Sequence, residues 1–381
     1  MARYRYCGVG PLDTDSQQEQ QTRKMNGIQE TPHQLNAQGK GYWRRLGVAC
    51  VAAMSLCASA VATPALARDY SGALSVAWDN DETMGSDNNY THGGFISWAT
   101  NEVNSYDSRS FVRKWADFWS FLPHVGKQGS QTYAAWTLGL EAFTPDRYRN
   151  PNPPLDDQPY AGALYVDSSL RTWFGRSAST WTLRLGMVGP SAHAEEVQNK
   201  FHDIVGVAEA EGWDTQLSDQ PILNVGYARD YLWLNGEFDG PASWRLVPTL
   251  DAQLGTFFTG IGGGIYGEIG WDLPAKFGGR RLFQGFEPAL SVGVGPQNNL
   301  SVALYGGLGG YAIAYYTPLD GNLFKDSRSV DSNPALGVLT AGVSLRYKRF
   351  AARTGVTYYT ETFATERERV DFASFELVLY F

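Results

Sequence analysis

The sequence predicts an all-β fold, a transmembrane antiparallel β-barrel of about twelve strands with a short helix in an outward-facing loop. Three observations predict it. An export-type apolar segment precedes a chain with no other long apolar run, so strands must do any crossing of a membrane. The chain carries 42 glycines and 14% aromatic residues at a mean hydropathy of only −0.30, as expected when apolar and polar side chains alternate. The C-terminal FASFELVLYF puts Phe375, Leu377, Leu379 and Phe381 on one face and Ser374 and Glu376 on the other. A strand that alternates to a terminal Phe is similar to the signal read by the barrel assembly machinery.

The elements follow in order. Residues 1–40 are polar and Gln-rich, with Met25 as a candidate start. Tyr42-Trp43-Arg44-Arg45 then leads into LGVACVAAMSLCASAVA and ends at Ala65-Leu66-Ala67. A basic stretch, an apolar stretch and an A-x-A ending form a Sec signal peptide cleaved after Ala67. Residues 1–67 are therefore an extension plus signal, and 68–381 the mature barrel. Cys7, Cys50 and Cys57 all fall in the removed part, leaving a mature chain with no thiol, disulfide or cysteine metal site.

Strand-like runs occur near 70–79, 90–100, 131–142, 161–174, 178–189, 220–235, 242–256, 258–272, 284–296, 299–317, 335–348, 350–362 and 369–381. The run 284–296 holds Pro288 and Pro296 and is absorbed into a long connection, because bacterial barrels have even strand numbers. Lys348-Arg349 reads as a tight turn, with Arg353 and Glu361 on the lumenal face of the strand that follows. With both termini periplasmic, 80–89, 143–160, 190–219, 257, 318–334 and 363–368 face outward. The inward connection 101–130 carries Phe111, Trp115, Phe118, Trp119 and Leu122 at helical spacing. Two readings fit it: an amphipathic helix at the inner membrane interface, or a plug on the barrel floor. The net charge of −8 argues against nucleic acid as a partner.

Three outward segments concentrate chemistry. Trp78-Asp79-Asn80-Asp81-Glu82 ends the first strand, with Thr91 opening the second; consecutive oxygen-bearing side chains suit a hard cation. Alternation turns Asn80 and Glu82 to one side and Asp79 and Asp81 to the other unless the strand bulges. FTPDRYRNPNPPLDDQPYAG is stiffened by its prolines. Its Asp156-Asp157 serves either a site or a turn cap, and Gly162 permits close backbone approach. In VGPSAHAEEVQNKFHDIVGVAEAEGWDTQLSD, Ser191 offers an N-cap. Ala194, Val197, Phe201 and Ile204 form one helical stripe and Glu195, Gln198 and His202 another. Gln198 and His202, four apart, can address one substrate together. His124 lies in the inward connection, and His92 and His193 read as surface residues.

Together DNDETMGSDNNYTHGG, FTP with LDDQPYAG, VGPSAHAEEVQNKFH with GWDTQL, and DGNLF resemble the outer-membrane lipid A 3′-O-deacylase (LpxR) family. The resemblance runs in order through most of residues 70–381. It implies a twelve-stranded barrel in a Gram-negative outer membrane, with a site between the barrel wall and a loop helix. It further implies calcium-dependent removal of the 3′-acyloxyacyl group from the lipid A of lipopolysaccharide. The family's asparagine–aspartate pair falls on Asn80 and Asp81, its hydroxyl on Thr91, its histidine on His202 and its helix glutamine on Gln198. Asn88 and His92 stand where the family has an arginine and an asparagine, and Gln158 where it has another arginine. Those changes remove bidentate phosphate readers from the rim; Arg147 and Arg149 are candidates for the assisting basic residue.

The chemistry is coherent with these residues. Ester hydrolysis needs a base for water and a stabiliser for the developing oxyanion. His202 suits the base, Asp81 and the Asn80 carbonyl a Ca²⁺ that polarises the ester, and Thr91 either positions water or acts as nucleophile. A phospholipase and a non-catalytic pore are the alternative readings.

Overall fold

The computed structural model describes residues 70–81, 89–206, 208–277, 295–367 and 369–381. The signal segment, Glu82, Asn88 and nearly all of 284–296 lie outside them. Among the described residues, thirteen strands form one antiparallel sheet. They are β1 (Gly72–Asn80), β2 (Asn89–Glu102), β3 (Gln131–Thr144), β4 (Ala161–Phe174), β5 (Ser177–Val188), β6 (Gln220–Tyr231) and β7 (Leu234–Glu237). There follow β8 (Ala242–Gly255), β9 (Phe258–Trp271), β10 (Gln297–Tyr316), β11 (Ala335–Lys348), β12 (Phe350–Tyr359) and β13 (Asp371–Tyr380). β13 returns to β1, and β6 pairs with β8 past β7, so the sheet closes. The four-residue β7 only lengthens the edge of β8, leaving a closed barrel of twelve strands. The predicted run 220–235 thus breaks in two, and the predicted 350–362 stops at Tyr359.

Alternation sorts the side chains. Leu74, Val76, Ile96, Leu138, Val166 and Leu185 are exposed on the outer wall, as a lipid-facing surface requires. Buried ion pairs inside the barrel include Arg171 with Asp230 (2.8 Å), Arg184 with Asp167 (2.8 Å), and Arg353 with Glu376 (3.3 Å). Pairing is what makes such burial tolerable, because a lone buried ion is strongly destabilising. Glu361, expected on the same lumenal face as Arg353, instead lies in the loop beyond β12 and is exposed. Aromatics fill the outward half of the lumen, among them Tyr90, Phe143, Phe257, Tyr316 and Phe372. The C-terminal strand keeps its predicted alternation and pairs with β1 from Ala73↔Tyr380 to Asn80↔Ala373. Lys348 makes the expected tight turn in the left-handed region (φ 52°).

Helix α1 (Phe111–Phe118) resolves the two readings of the inward connection. Ser110 Oγ accepts from the Arg113 N–H (3.2 Å) and caps it. Val112 and Ala116 pack with Ala134 and Leu170, beside Trp115, Trp119 and Trp136. Trp136 shares the outer face of β3 with the exposed Leu138, so α1 lies against the outside of the barrel and is not a plug.

Candidate active site

The wall half of the site begins where β1 ends. Asp79 points into the lumen and accepts a hydrogen bond from Tyr90 Oη (2.9 Å). Asn80 is on the outer side, and its Nδ2 donates to the Thr91 carbonyl (3.2 Å). The same carbonyl receives the Asp81 backbone N–H (3.4 Å), and Asp81 is wholly buried. On the other edge of β2, Tyr90 pairs with Phe143 but His92 with Ala142, so Thr91 is the extra residue of a bulge. The bulge directs Thr91 Oγ1 to Thr144 Oγ1, 2.6 Å away.

The helix half is α2 (Ala194–Val205), which packs on β3 and β4. Gly162 lets it approach: a Cβ there would lie 2.5 Å from the Ala194 Cβ, so the close approach expected at this glycine is real. Gln198 and His202 are each only 2% exposed, whereas Val197 and Ile204 of the apolar stripe are 41% and 71% exposed. Gln198 Oε1 accepts from Trp213 Nε1 (3.1 Å), which fixes the amide and leaves its buried Nε2 with no partner among the described residues. His202 Nδ1 lies 2.7 Å from the Ala208 carbonyl. A carbonyl only accepts, so the ring proton is on Nδ1 and Nε2 carries the lone pair. Tyr148 stands edge-on to His202 at 6.1 Å, and Arg149 donates to the Tyr148 hydroxyl (3.1 Å), making it the candidate basic residue on this side.

The two halves meet through an aromatic cluster. Phe201, next to His202, packs against Trp78 (5.5 Å) and His92 (5.7 Å) of the outer wall. His92 is therefore not a free surface residue as expected, but half-buried against Phe201, the neighbour of His202 on α2. His193 is at the surface, bonded to Glu196 (3.0 Å). Ser191 does not cap the helix; its hydroxyl donates to Asp219 Oδ2 (2.6 Å) and closes the base of the loop, and His193 occupies the cap position. Asp157 takes the turn-cap role, accepting from the backbone N–H of Gln158 (2.9 Å) and Asp146 (3.2 Å). Gln158 is on the lumenal side, lining with Asn89, Tyr90 and Tyr316 a cavity of about 30 Å³. Thr144, Tyr148 and Trp213 were missed as site partners; Thr144 and Trp213 lie within the FTP and GWDTQL motifs.

Asn80 and Asp81 bring oxygen chemistry to one strand end, which suits a hard cation. Among the described residues no group of three acids, histidines or cysteines gathers there.

The family model described as outer membrane protein LpxR matches residues 48–381. No curated protein sequence matches the chain. Among solved structures it is similar to LpxR from Salmonella typhimurium, at 16% identity and a TM-score of 0.65, covering 81% of this chain and 100% of that one. The β domain of the Bordetella autotransporter Brka (12% identity, TM-score 0.39) is matched over 82% of this chain and 100% of its own. The translocator domain of NalP from Neisseria meningitidis (6% identity, TM-score 0.36) is matched over 88% and 96%.

Proposed function

The chain belongs to the LpxR family of outer membrane proteins, and on that premise we propose that it is an esterase that removes the 3′-linked acyloxyacyl group from lipid A. One observation carries the proposal: a helix laid on a lipid-facing wall buries a histidine whose Nδ1–H is committed to Ala208, so that Nε2 is the base. Nε2 takes a proton from water as its oxygen attacks the ester carbon. Collapse of the tetrahedral adduct breaks the bond to the sugar oxygen, which takes the proton back from Nε2 and leaves as the free hydroxyl. The buried Gln198 Nε2, held by Trp213, is a preorganised donor for the oxyanion. Thr91, tied to Thr144, orients the water. Asn80 and Asp81 would hold a Ca²⁺, which when bound would withdraw charge from the ester oxygen. The acyl chains stay along the apolar outer wall, which is why this site belongs on a barrel. Export by a cleaved signal ending at Ala67 is part of the same proposal.

Mass spectrometry of lipid A from cells with and without the protein tests the reaction. Loss of the 3′-linked acyloxyacyl mass only in cells with the protein is expected. Release of fatty acid from phospholipid with lipid A intact would overturn the substrate and favour a phospholipase.

A further inference from the structure

His92 is set up differently from His202. The Trp78 indole N–H can only donate, and it donates to His92 Nδ1 at 2.9 Å. That bond occupies the Nδ1 lone pair, so the His92 proton is on Nε2. Two neighbouring imidazoles thus hold opposite tautomers: His202 presents a lone pair, and His92 an N–H. The direction of that N–H is legible from Gly94, two residues further along the outer face. A Cβ built at Gly94 would meet His92 Nε2 at 3.7 Å and nothing else within 4 Å. Nε2 therefore overlooks an otherwise open strip of lipid-facing wall. Trp78 (6.2 Å) and Phe201 (5.7 Å) flank the ring and replace part of its water shell with apolar surface, where a hydrogen bond is stronger.

We infer that His92 is a second catalytic residue, whose neutral Nε2–H donates to an acyl-ester oxygen of the lipid substrate lying in a groove floored by Gly94. The inference rests on the esterase reading above. His92 is not a second base, because accepting a proton on Nδ1 would break the indole bond. The proton stays on Nε2 throughout; the bond to the substrate oxygen strengthens as that oxygen gains charge in the tetrahedral adduct.

The full chain in lipid nanodiscs, labelled with ¹⁵N-histidine, tests the tautomers directly through two-bond ¹H–¹⁵N correlations. Signals are assigned by their loss in His92→Asn and His202→Gln. The expected result is a protonated Nε2 for His92 and a protonated Nδ1 for His202; a His92 protonated on Nδ1 overturns the inference. Kinetics on dispersed lipid A supply the second arm. His92→Phe keeps the aromatic stack but removes the donor, so kcat should fall about 10²-fold with little change in KM. His92→Asn restores an N–H donor and should recover most of that loss, a rescue that a packing role would not produce. Gly94→Leu fills the groove and should raise KM instead. Wild-type turnover in His92→Phe would overturn the donor role. If the wild type shows the expected tautomers yet leaves lipid A intact, the substrate reading falls and the donor assignment survives.

Discussion

Helices α1 and α2 lie on the same outer wall at opposite ends of the barrel, and only α2 buries polar side chains beside its apolar ones. α1 turns Val112 and Ala116 to the wall, as an amphipathic helix on an apolar surface should. α2 turns Gln198 and His202 to it and leaves Val197 and Ile204 exposed. Burying a polar group without a full set of hydrogen bonds costs about 1–3 kcal/mol. Packing alone would have favoured burying Val197 and Ile204 instead. Burial of apolar surface thus explains the position of α1, whereas α2 also buries two polar side chains that such burial does not require.

Removing the proposed base should give the sharpest version of that contrast. His202→Gln should lower kcat by about 10²–10⁴-fold, with little effect on KM. The barrel should keep its heat-modifiable migration, because the side chain is outside the lumen. Phe111→Ser and His124→Ala, at the inner end, should leave turnover unchanged. An equal loss from Phe111→Ser would erase the distinction between the two helices.

Removing the proposed metal should have the next largest effect. Excess chelator should abolish most of the activity and added calcium restore it. Asp81→Ala should cost roughly 10²-fold, the scale expected of a Lewis acid at the ester oxygen. Its thermal unfolding should stay close to wild type, since the carboxylate is at a strand end. Full activity in chelator would remove calcium from the mechanism and leave the outward end to the protein groups alone.

The same contrast marks where the sequence is legible. β4 and β11 have the bounds read from alternation, because lipid on one side and a polar lumen on the other enforce the pattern at every residue. The end of β6 is not legible: after Tyr231 the Trp233 N–H turns to the Leu246 carbonyl on β8, a long-range choice without a local cue. Asn80, Asp81, Thr91, Gln198 and His202 stand out by residue type and motif. His92 does not: it reads as a surface residue, and nothing local shows that it packs between Trp78 and Phe201. Periodicity likewise reveals both stripes of α2 without saying that the wall takes Gln198 and His202 together with Ala194 and Phe201.

The smallest effect concerns pH, and it too should be confined to the outward end. Glu366, in the loop between β12 and β13, accepts from the Thr362 N–H (2.6 Å), Thr362 Oγ1 (3.0 Å) and Asn89 Nδ2 (3.3 Å). Burial pushes its carboxyl up to about 7, helped by the charges of Glu361 and Asp146 and opposed by the bonds from Thr362. A carboxyl raised in the folded state holds its proton more tightly there than in the opened loop. Its contribution is therefore full below the ordinary value of 4.5 and is lost as pH rises through about 7. Hydrogen-exchange protection of residues 360–367, corrected for intrinsic rates, should fall over that window in the wild type and stay flat in Glu366→Gln. Protection of α1 should be indifferent to both pH and substitution. Asn89 is two residues from Thr91, so activity should follow the loop only weakly, by less than about threefold. An unchanged fall in Glu366→Gln would mean that another group titrates, and a matching fall in α1 would mean that the whole barrel responds rather than its outward rim.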